Sequence, residues 1–399
     1  MYHRLVCINN MKNTYDFDEI VQRRGTNCVK WDDCAEGVLP LWVADMDFKA
    51  APPICEALER RLAHGVFGYA VVPDAYYDAV INWFGRRYGW QIQREEIIYT
   101  SGVIPAIAAI LKAVTMPGEK VLIQSPVYNC FFSNIYNSGT LVADNPLVEQ
   151  GDTYVIDFED FEQKVSDPKV TAFLLCNPHN PAGRVWTKDE LMRMGDLCMK
   201  HHVTIISDEI HCELMMPGTS FTPFATVSER FLQNCVICNS PTKNFNIAGL
   251  QIANIIVPNA DLRRRIDRAI NINEVCDVNP FGIDALIAAY NECEDWLTQL
   301  NAYLFDNYCA LRRRFEEALP QMGVKKLEGT YLVWMDVRSI QRSSDDIATY
   351  LTERHRVRVN PGSMYGTDGF LRINIACPRA QLMQGVERII EGLREQSES

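Results

Sequence analysis

Short hydrophobic runs alternate with segments of helical periodicity through the middle of the chain. The runs are rich in β-branched residues and lie at 121–123, 170–175, 203–207, 236–239 and 252–257. Between two of them, the apolar residues of 188–201 recur at helical spacing, and Thr187 followed by Glu190 is a helix-start signature. This order predicts a mainly parallel sheet whose strands are joined by crossover helices.

The pattern changes after about residue 258. Longer helical periodicities and only a few strand-like runs follow, at 283–317 (helix), 331–337 (strand), 369–376 (strand) and 379–394 (helix). We therefore predict a second, smaller α/β unit at the C-terminal end.

The chain of 399 residues is long enough for two or three structural units. No repeat, low-complexity tract or linker separates them. We expect an N-terminal segment of residues 1–50 that packs with the small domain, a large domain of residues 51–288 and a small domain of residues 289–399.

The charge balance disfavours anionic partners. Lys and Arg total 39 against 51 Asp and Glu, and the formal net charge of -12 repels the phosphates of nucleic acids and anionic membranes. No apolar run approaches the roughly 18 residues that span a bilayer, and residues 1–11 lack the apolar stretch of a secretory signal. We expect a cytoplasmic protein without a nucleic-acid or membrane partner.

A lysine follows directly after one predicted strand, in the segment that runs from Ser240 to Leu250. A lysine held in a desolvated pocket has a lowered pKa, and its neutral amine can form a Schiff base. Lys243 is thus a candidate nucleophile, and the hydroxyls of Ser240 and Thr242 suit a phosphate. The alternative is that Lys243 is an ordinary exposed loop lysine.

Two other predicted strands also end in polar residues. Asp208 ends a buried-type strand, so that its carboxylate faces the crevice at the carboxyl edge of the sheet, where it can keep a ring nitrogen protonated. Asn180 lies between two prolines after another strand and can present an amide. The alternatives are that Asp208 caps the next helix, that His211 has no ligand role and that the Asn-Pro pairs form a plain turn.

Two further segments offer sites for anions. The segment 99–105 passes from a strand to a turn and leads into an apolar helix at 106–114, and a helix N-terminus after a glycine offers free amides to a phosphate, although no nucleotide-binding motif is present. Arg372 lies on a strand-like segment, where its guanidinium can clamp a carboxylate. The alternative is a surface ion pair.

Metal chemistry is not indicated by the cysteines and histidines. Cys235 and Cys238 form a C-x-x-C pair within a strand, but no second pair follows at zinc-ribbon spacing, and no H-E-x-x-H motif occurs. We expect no metal site.

Taken together, these segments resemble the fold-type I pyridoxal 5'-phosphate (PLP) enzymes of the class I/II aminotransferase superfamily over nearly the whole chain. The resemblance is greatest to the MalY/PatB branch of cystathionine β-lyases and cysteine-S-conjugate β-lyases, and it lies in PLWVADMDF at 40–48, FGY at 67–69, DEIH at 208–211 and PTKNFNIAGL at 241–250. It implies an α/β fold with a mainly parallel seven-stranded sheet in a large domain and a smaller α/β C-terminal domain.

The resemblance also implies roles for individual residues. Lys243 would bind the PLP aldehyde and act as the base, Asp208 would lie under the pyridine nitrogen, Asn180 would lie near the phenolic oxygen and the substrate, and Arg372 would bind the substrate carboxylate. Tyr128 would stack on the ring. Val103, Ile104, Ser240 and Thr242 would border the phosphate. Tyr69 would reach the phosphate of a neighbouring subunit and contribute to catalysis and substrate binding there, which implies a homodimer with shared sites.

The sequence departs from typical aminotransferases at two positions. His211 replaces the tyrosine that usually contacts the phenolic oxygen, and Gln251 replaces an arginine that usually contacts phosphate. Both departures fit the lyase branch. The resemblance therefore implies a sulfur amino-acid substrate and β-elimination to a thiol, pyruvate and ammonia. An aminotransferase and a PLP-binding regulatory protein are the alternatives.

Overall fold

The computed structural model describes residues 14–272 and 277–398, so residues 1–11, discussed above for signal sequences, lie outside it. The helices are α1 (Val29–Asp32), α2 (Pro52–His64), α3 (Asp74–Tyr88), α4 (Val103–Val114), α5 (Asn129–Asn137), α6 (Phe158–Val165), α7 (Lys188–Lys200), α8 (Pro241–Asn244), α9 (Ala260–Asn271), α10 (Pro280–Glu292), α11 (Glu294–Ala318), α12 (Ser344–Arg354) and α13 (Arg379–Glu398). The strands are β1 (Leu39–Pro40), β2 (Ile97–Thr100), β3 (Lys120–Ile123), β4 (Leu141–Asp144), β5 (Val148–Gln150), β6 (Thr153–Val155), β7 (Val170–Cys176), β8 (Thr204–Asp208), β9 (Cys235–Asn239), β10 (Ala253–Ile256), β11 (Gly323–Val324), β12 (Leu332–Asp336), β13 (Val357–Arg358), β14 (Asn360–Pro361) and β15 (Phe370–Asn374).

A seven-stranded sheet forms the centre of the large unit, with strand order β2-β10-β9-β8-β7-β3-β4. Only β10 runs antiparallel to its neighbours, so the predicted fold class is confirmed. Alternate residues of β3 enter two different cores: Val121 and Ile123 pack with α4, whereas Leu122 packs with the helices of the other face. Because both faces are covered, the strands are continuously hydrophobic.

The predicted crossover helix is α7, and its start is fixed by a capping box. The Thr187 hydroxyl accepts from the Glu190 amide at 3.2 Å, and the Glu190 carboxylate accepts from the Thr187 amide at 2.8 Å. These bonds satisfy two amides that no intrahelical carbonyl can reach.

A four-stranded antiparallel sheet of order β11-β12-β15-β14 lies in the C-terminal part of the chain and packs with α11 and α12. The strands predicted at 331–337 and 369–376 are β12 and β15. The single helix expected over 283–317 is wrong, because Cys293 leaves helical geometry at φ -112° and ψ 19° and separates α10 from α11. The hydrophobic periodicity continues through Cys293, so it does not reveal the break.

The N-terminal segment contacts the C-terminal part through β1, which pairs in parallel with β13. A buried ion-pair cluster holds the residues that follow. Lys30 Nζ lies 2.9 Å from one Asp47 oxygen, and Arg23 lies 2.6 Å from the other and 2.7 Å from Asp45. Gln381 of α13 also donates to Asp47, at 2.9 Å. Residues 42–48, here called the strap, are thereby fixed against α13.

The domain boundaries at residues 50 and 288 stay a prediction, which the β1–β13 pairing supports for the N-terminal segment. Among residues 14–272 and 277–398, no helix has the length and apolarity required to cross a bilayer.

Candidate active site

Lys243 lies on α8, one turn after the carboxyl end of β9. Ser240 caps this short helix and Pro241 occupies its first position, which fixes the direction of the chain as it leaves the sheet. Lys243 is only partly exposed, and its Nζ donates to the backbone carbonyl of Ala44 at 2.6 Å. Burial lowers the pKa of Lys243 to about 8, and the Arg372 charge acts in the same direction. A substantial neutral fraction therefore exists near neutral pH, so the alternative of an ordinary exposed lysine is wrong.

Asp208 ends β8, next to Cys176 of β7 and Cys238 of β9 in the sheet register. Its side chain is 4% exposed, and one oxygen accepts from the Ile210 amide at 3.1 Å. No ion pair of Asp208 occurs among the described residues, and burial raises the pKa of its carboxyl to about 7. The residues after Asp208 form turns rather than a helix, so the helix-capping alternative is wrong. A buried carboxyl without a cationic partner is suited to a positively charged ring nitrogen.

Asn180 and Arg372 meet although they come from different sheets. Arg372 Nη1 donates to Asn180 Oδ1 at 3.2 Å, and Nη2 donates to the Trp42 carbonyl at 2.9 Å. The guanidinium lies 4.7 Å from the centre of the Tyr365 ring, while its Nε is buried without a hydrogen-bond partner among the described residues. Because Arg372 is 3% exposed, the alternative of a surface ion pair is wrong.

Tyr128 and His211 belong to the same group of side chains. The charges of Arg372 and Asp208 both act on the Tyr128 hydroxyl, whose pKa is raised mainly by burial. His211 is 4% exposed, and its ring meets the edge of Tyr331 at a centroid distance of 6.0 Å. Burial, followed by the charges of Lys243 and Arg372, lowers the pKa of His211 to about 3, so the ring is neutral. Its Nδ1 is buried and has no partner within the described part of the chain.

The predicted phosphate-binding residues fall into two groups. Val103 and Ile104 are the first residues of α4, where amides lack intrahelical acceptors, and Pro105 after them has no amide hydrogen to offer. Ser240 and Thr242 form the second group. The Ser240 hydroxyl donates its one proton to the Ile252 carbonyl at 2.6 Å. In the contact of 2.7 Å between the two hydroxyls, Thr242 is therefore the donor and Ser240 the acceptor. In this arrangement, neither hydroxyl proton is free for a phosphate.

Tyr69 does not join the other predicted site residues within one chain. Its side chain is 97% exposed, on the loop between α2 and α3. Gln251, the second departure from aminotransferases, is also exposed and adopts a left-handed backbone at φ 52°. The structure therefore brings together Lys243, Asp208, Asn180, Arg372, Tyr128 and His211, with Ser240 and Thr242 on the loop that carries the lysine.

The strap contributes backbone groups to the site that the sequence did not reveal. The carbonyls of Trp42 and Ala44 accept from Arg372 and Lys243, and the Tyr331 hydroxyl also donates to Ala44, at 2.9 Å. A backbone carbonyl leaves no signal in the choice of residue, and Tyr331 lies in an apolar run where it resembles a core residue. The motif at 40–48 was the available indication, although it served only as a mark of family resemblance.

The residues present fit PLP on their own chemistry. Lys243 offers an amine with a lowered pKa, Asp208 an unpaired buried carboxyl, and Arg372 an unpaired buried guanidinium nitrogen. These match an aldehyde, a cationic ring nitrogen and a substrate carboxylate. The start of α4 offers free amides to a phosphate.

Comparison with known proteins agrees with this assignment. Residues 38–389 match the family model for aminotransferase class I and II. Cystathionine β-lyase PatB of Bacillus subtilis strain 168 is 41% identical over 94% of this chain and 98% of its own, and protein MalY of Escherichia coli strain K12 is 33% identical over 95% and 99%.

The chain is also similar to solved structures along nearly its whole length. Cystalysin of Treponema denticola, which contains PLP, has a TM-score of 0.93 at 33% identity over 96% of this chain and 100% of its own. The PLP-bound C-S lyase of Staphylococcus hominis has a TM-score of 0.90 at 32% identity over 96% and 99%. The fold and the site define a PLP-dependent enzyme of fold type I. More particularly, this chain belongs to the class I and II aminotransferase family.

Proposed function

We propose that the protein is a carbon-sulfur β-lyase that cleaves L-cystathionine or a related cysteine S-conjugate to a thiol, pyruvate and ammonia. The observation that carries this proposal is the convergence of Lys243, Asp208 and Arg372, none of which has an ion-pair partner among the described residues. The similarity to PatB over nearly the full length of both chains supports the lyase branch in particular.

Arg372 binds the α-carboxylate of the amino acid. Its guanidinium is held from one side by Asn180 and from the other by the strap carbonyl of Trp42, which fixes the plane of the fork. A fixed fork can form two parallel hydrogen bonds with a carboxylate. This orients the amino acid so that its Cα hydrogen faces Lys243.

Bound PLP supplies the electron sink that stabilises negative charge at the substrate Cα. Lys243 removes the Cα proton, for which a pKa of about 8 is well suited near neutral pH. Asp208 keeps a proton on the pyridine nitrogen, because the positive charge of the protonated nitrogen would stabilise the buried Asp208 carboxylate. Asn180 would hold the phenolic oxygen, Tyr128 would stack on the ring, and Val103 and Ile104 would offer amides to the phosphate.

The test is turnover of sulfur amino acids by the purified holoenzyme. We expect L-cystathionine and S-alkyl cysteines to yield pyruvate and free thiol in equal amounts without an added keto acid. Absence of both products across such a panel contradicts the lyase assignment. Reduction with borohydride followed by peptide mapping should attach the cofactor to Lys243, and a label on another lysine contradicts that residue assignment.

Membership of the aminotransferase family favours one second candidate, a transaminase that uses the same lysine. That reaction requires a keto-acid acceptor and leaves the amino group on the cofactor as pyridoxamine phosphate. Release of ammonia without an acceptor excludes it as the main activity.

The proposal includes a homodimer with shared active sites, in the cytoplasm. Tyr69 lies on a surface where several large apolar side chains are exposed, namely Leu62, Val66, Phe67 and Val71. Large apolar side chains exposed close together along the chain favour a protein interface here. Mixing Lys243→Ala and Tyr69→Phe subunits tests the arrangement, because a hybrid dimer would regain one complete site. No gain of activity on mixing counts against sharing.

A further inference from the structure

The backbone of the strap is held by side chains at five consecutive carbonyls, from residue 42 to residue 46. The donors are Arg372 and Asn360 to Trp42, Asn374 to Val43, Asn374 and Lys30 to Asp45, Lys243 and Tyr331 to Ala44, and Arg23 and Asn246 to Met46. Extended segments usually satisfy their carbonyls in a sheet or in water. Here the carbonyl of Ala44 is instead turned towards the candidate catalytic amine.

Asn246 makes three hydrogen bonds with the backbone of the strap. Its Oδ1 accepts from the Met46 amide at 2.9 Å, and its Nδ2 donates to the carbonyls of Met46 at 3.0 Å and Phe48 at 2.7 Å. Asn246 has a left-handed backbone at φ 56°, a conformation that asparagine tolerates better than most residues. It follows Lys243 by three positions, so α8 and the turn after it carry both the amine and the Asn246 carboxamide, here called the clamp.

We propose that Asn246 is a positioning residue that keeps the Ala44 carbonyl against the amine of Lys243. This inference rests on the proposed function, in which Lys243 is freed as an amine and takes a proton from the substrate. The resulting ammonium has three N–H groups in a buried site, and each unsatisfied one is costly. The Ala44 carbonyl, 2.6 Å from Nζ, accepts one of them.

The proposal predicts a lower Lys243 pKa when the clamp is lost, since the carbonyl stabilises the ammonium more than the neutral amine. The other groups that act on Lys243 are Asp45, Arg372, Asp208 and Cys130. Three of them lie outside the strap. Asp45 lies within it, but Arg23 holds its carboxylate independently at 2.7 Å. The loss of the clamp therefore acts mainly through the Ala44 carbonyl.

The variants are chosen to separate positioning from stability. Asn246→Gly keeps the left-handed backbone accessible and removes the carboxamide. Asn246→Asp keeps the shape and the acceptor for Met46, but places oxygen instead of nitrogen against two carbonyls. Asn234→Gly is the matched control, because Asn234 Nδ2 also donates to a backbone carbonyl, that of Val203 at 2.7 Å, at the opposite edge of the sheet.

Two readouts decide the matter. The first is the pH midpoint of acylation of Lys243 by dilute acetic anhydride in the full chain freed of cofactor, followed by peptide mass mapping. The second is kcat and KM of the holoenzyme with cystathionine. For Asn246→Gly we expect the midpoint to fall by about one unit, whereas in Asn246→Asp the added carboxylate opposes that fall, so the midpoint of that variant does not decide the matter. For both variants we expect kcat to fall by about 10-fold to 100-fold, with KM within about twofold. Asn234→Gly should leave both unchanged.

An unchanged midpoint in folded Asn246→Gly, or an unchanged kcat in folded Asn246→Gly or Asn246→Asp, overturns the proposal. So does an equal change in Asn234→Gly, because it would indicate a general loss of stability. If the unaltered protein releases no pyruvate, the proposed function fails, while the acylation midpoints still decide the role of Asn246.

Discussion

Two regions of this molecule treat their buried charges in opposite ways. In the N-terminal cluster, burial acts to lower the pKa of Lys30, but the charges of Asp47 and Asp45 outweigh it and raise that pKa. Burial acts to raise the pKa of Asp47, but the charge of Lys30 and the hydrogen bond from Trp31 outweigh it and lower that pKa. In the active site the effect of burial prevails. It lowers the pKa of Lys243 to about 8 and raises the pKa of Asp208 to about 7.

The difference distinguishes buried charges that stabilise the fold from buried charges that serve a reaction. In the cluster each charge is satisfied by the chain itself, so the groups remain ionised and hold the strap in place. In the active site, Lys243 and Asp208 have no ion-pair partners among the described residues. This costs stability and brings their pKa values close to neutral pH. Unpaired buried groups therefore mark the place where a ligand completes the structure.

The largest expected effect is on Lys243. Lys243→Ala removes both the amine that binds the cofactor and the base, and we expect pyruvate release to fall by at least about 10⁴-fold. Lys49→Ala, which alters an exposed lysine paired with Glu19, is the control and should retain full activity. Retention of more than about 1% of activity in Lys243→Ala would show that the unpaired amine is not the base.

In the cluster the expected effect is on stability. Asp47→Ala leaves Lys30 buried with less compensation, so we expect a loss of about 3–5 kcal/mol in the free energy of unfolding measured in urea. Glu19→Ala, at the exposed pair with Lys49, should cost less than about 1 kcal/mol. Equal costs for the two variants would remove the distinction between the regions.

The pH dependence of the cluster follows from the sign of the shift. Because the folded pKa of Asp47 lies below its ordinary value of 3.8, its stabilising contribution is present above that value. It is lost as the pH falls through the lowered folded pKa. Asp47→Ala should therefore flatten the acid limb of a stability-versus-pH curve measured by urea unfolding.

Asp208 should show the opposite behaviour. Its folded pKa of about 7 lies above the ordinary value of 3.8, so the stability of the cofactor-free protein should decrease as the pH rises between them. Asp208→Asn should remove this slope and raise the melting temperature at pH 8, while kcat falls by about 10²-fold to 10³-fold. A variant that is both less stable without cofactor and fully active would contradict the assignment.

The smallest effect is expected for Tyr331→Phe. This change removes only the second donor to the Ala44 carbonyl, a bond of 2.9 Å, which is worth about 0.5–1.5 kcal/mol. We expect kcat to fall by about twofold to tenfold, measured as initial pyruvate release. Tyr303→Phe, whose hydroxyl accepts from the Arg379 amide at 2.7 Å, is the control, and a matching fall in it would indicate a non-specific effect.

The sequence predicts the parts of the site that depend on strand order. Asp208 and Lys243 follow adjacent parallel strands, and the carboxyl ends of such strands meet at one edge, so their proximity follows from topology. The hydroxyl of Ser240 was not predictable in this way, since its acceptor is the backbone carbonyl of Ile252, just before β10. The same holds for the strap carbonyls and for the break at Cys293, where no glycine or proline interrupts the periodicity.

The pairing of β1 with β13 joins positions near the two ends of the chain. During synthesis, the central sheet with Asp208 and Lys243 leaves the ribosome well before Val357 and Gln381 exist to receive the N-terminal segment. Long-range pairings of this kind form slowly, because a large loop must close first. A nascent chain thus contains Asp208 and Lys243 before Val357 and Arg372 have been synthesised. The complete site can therefore form only when translation is almost finished.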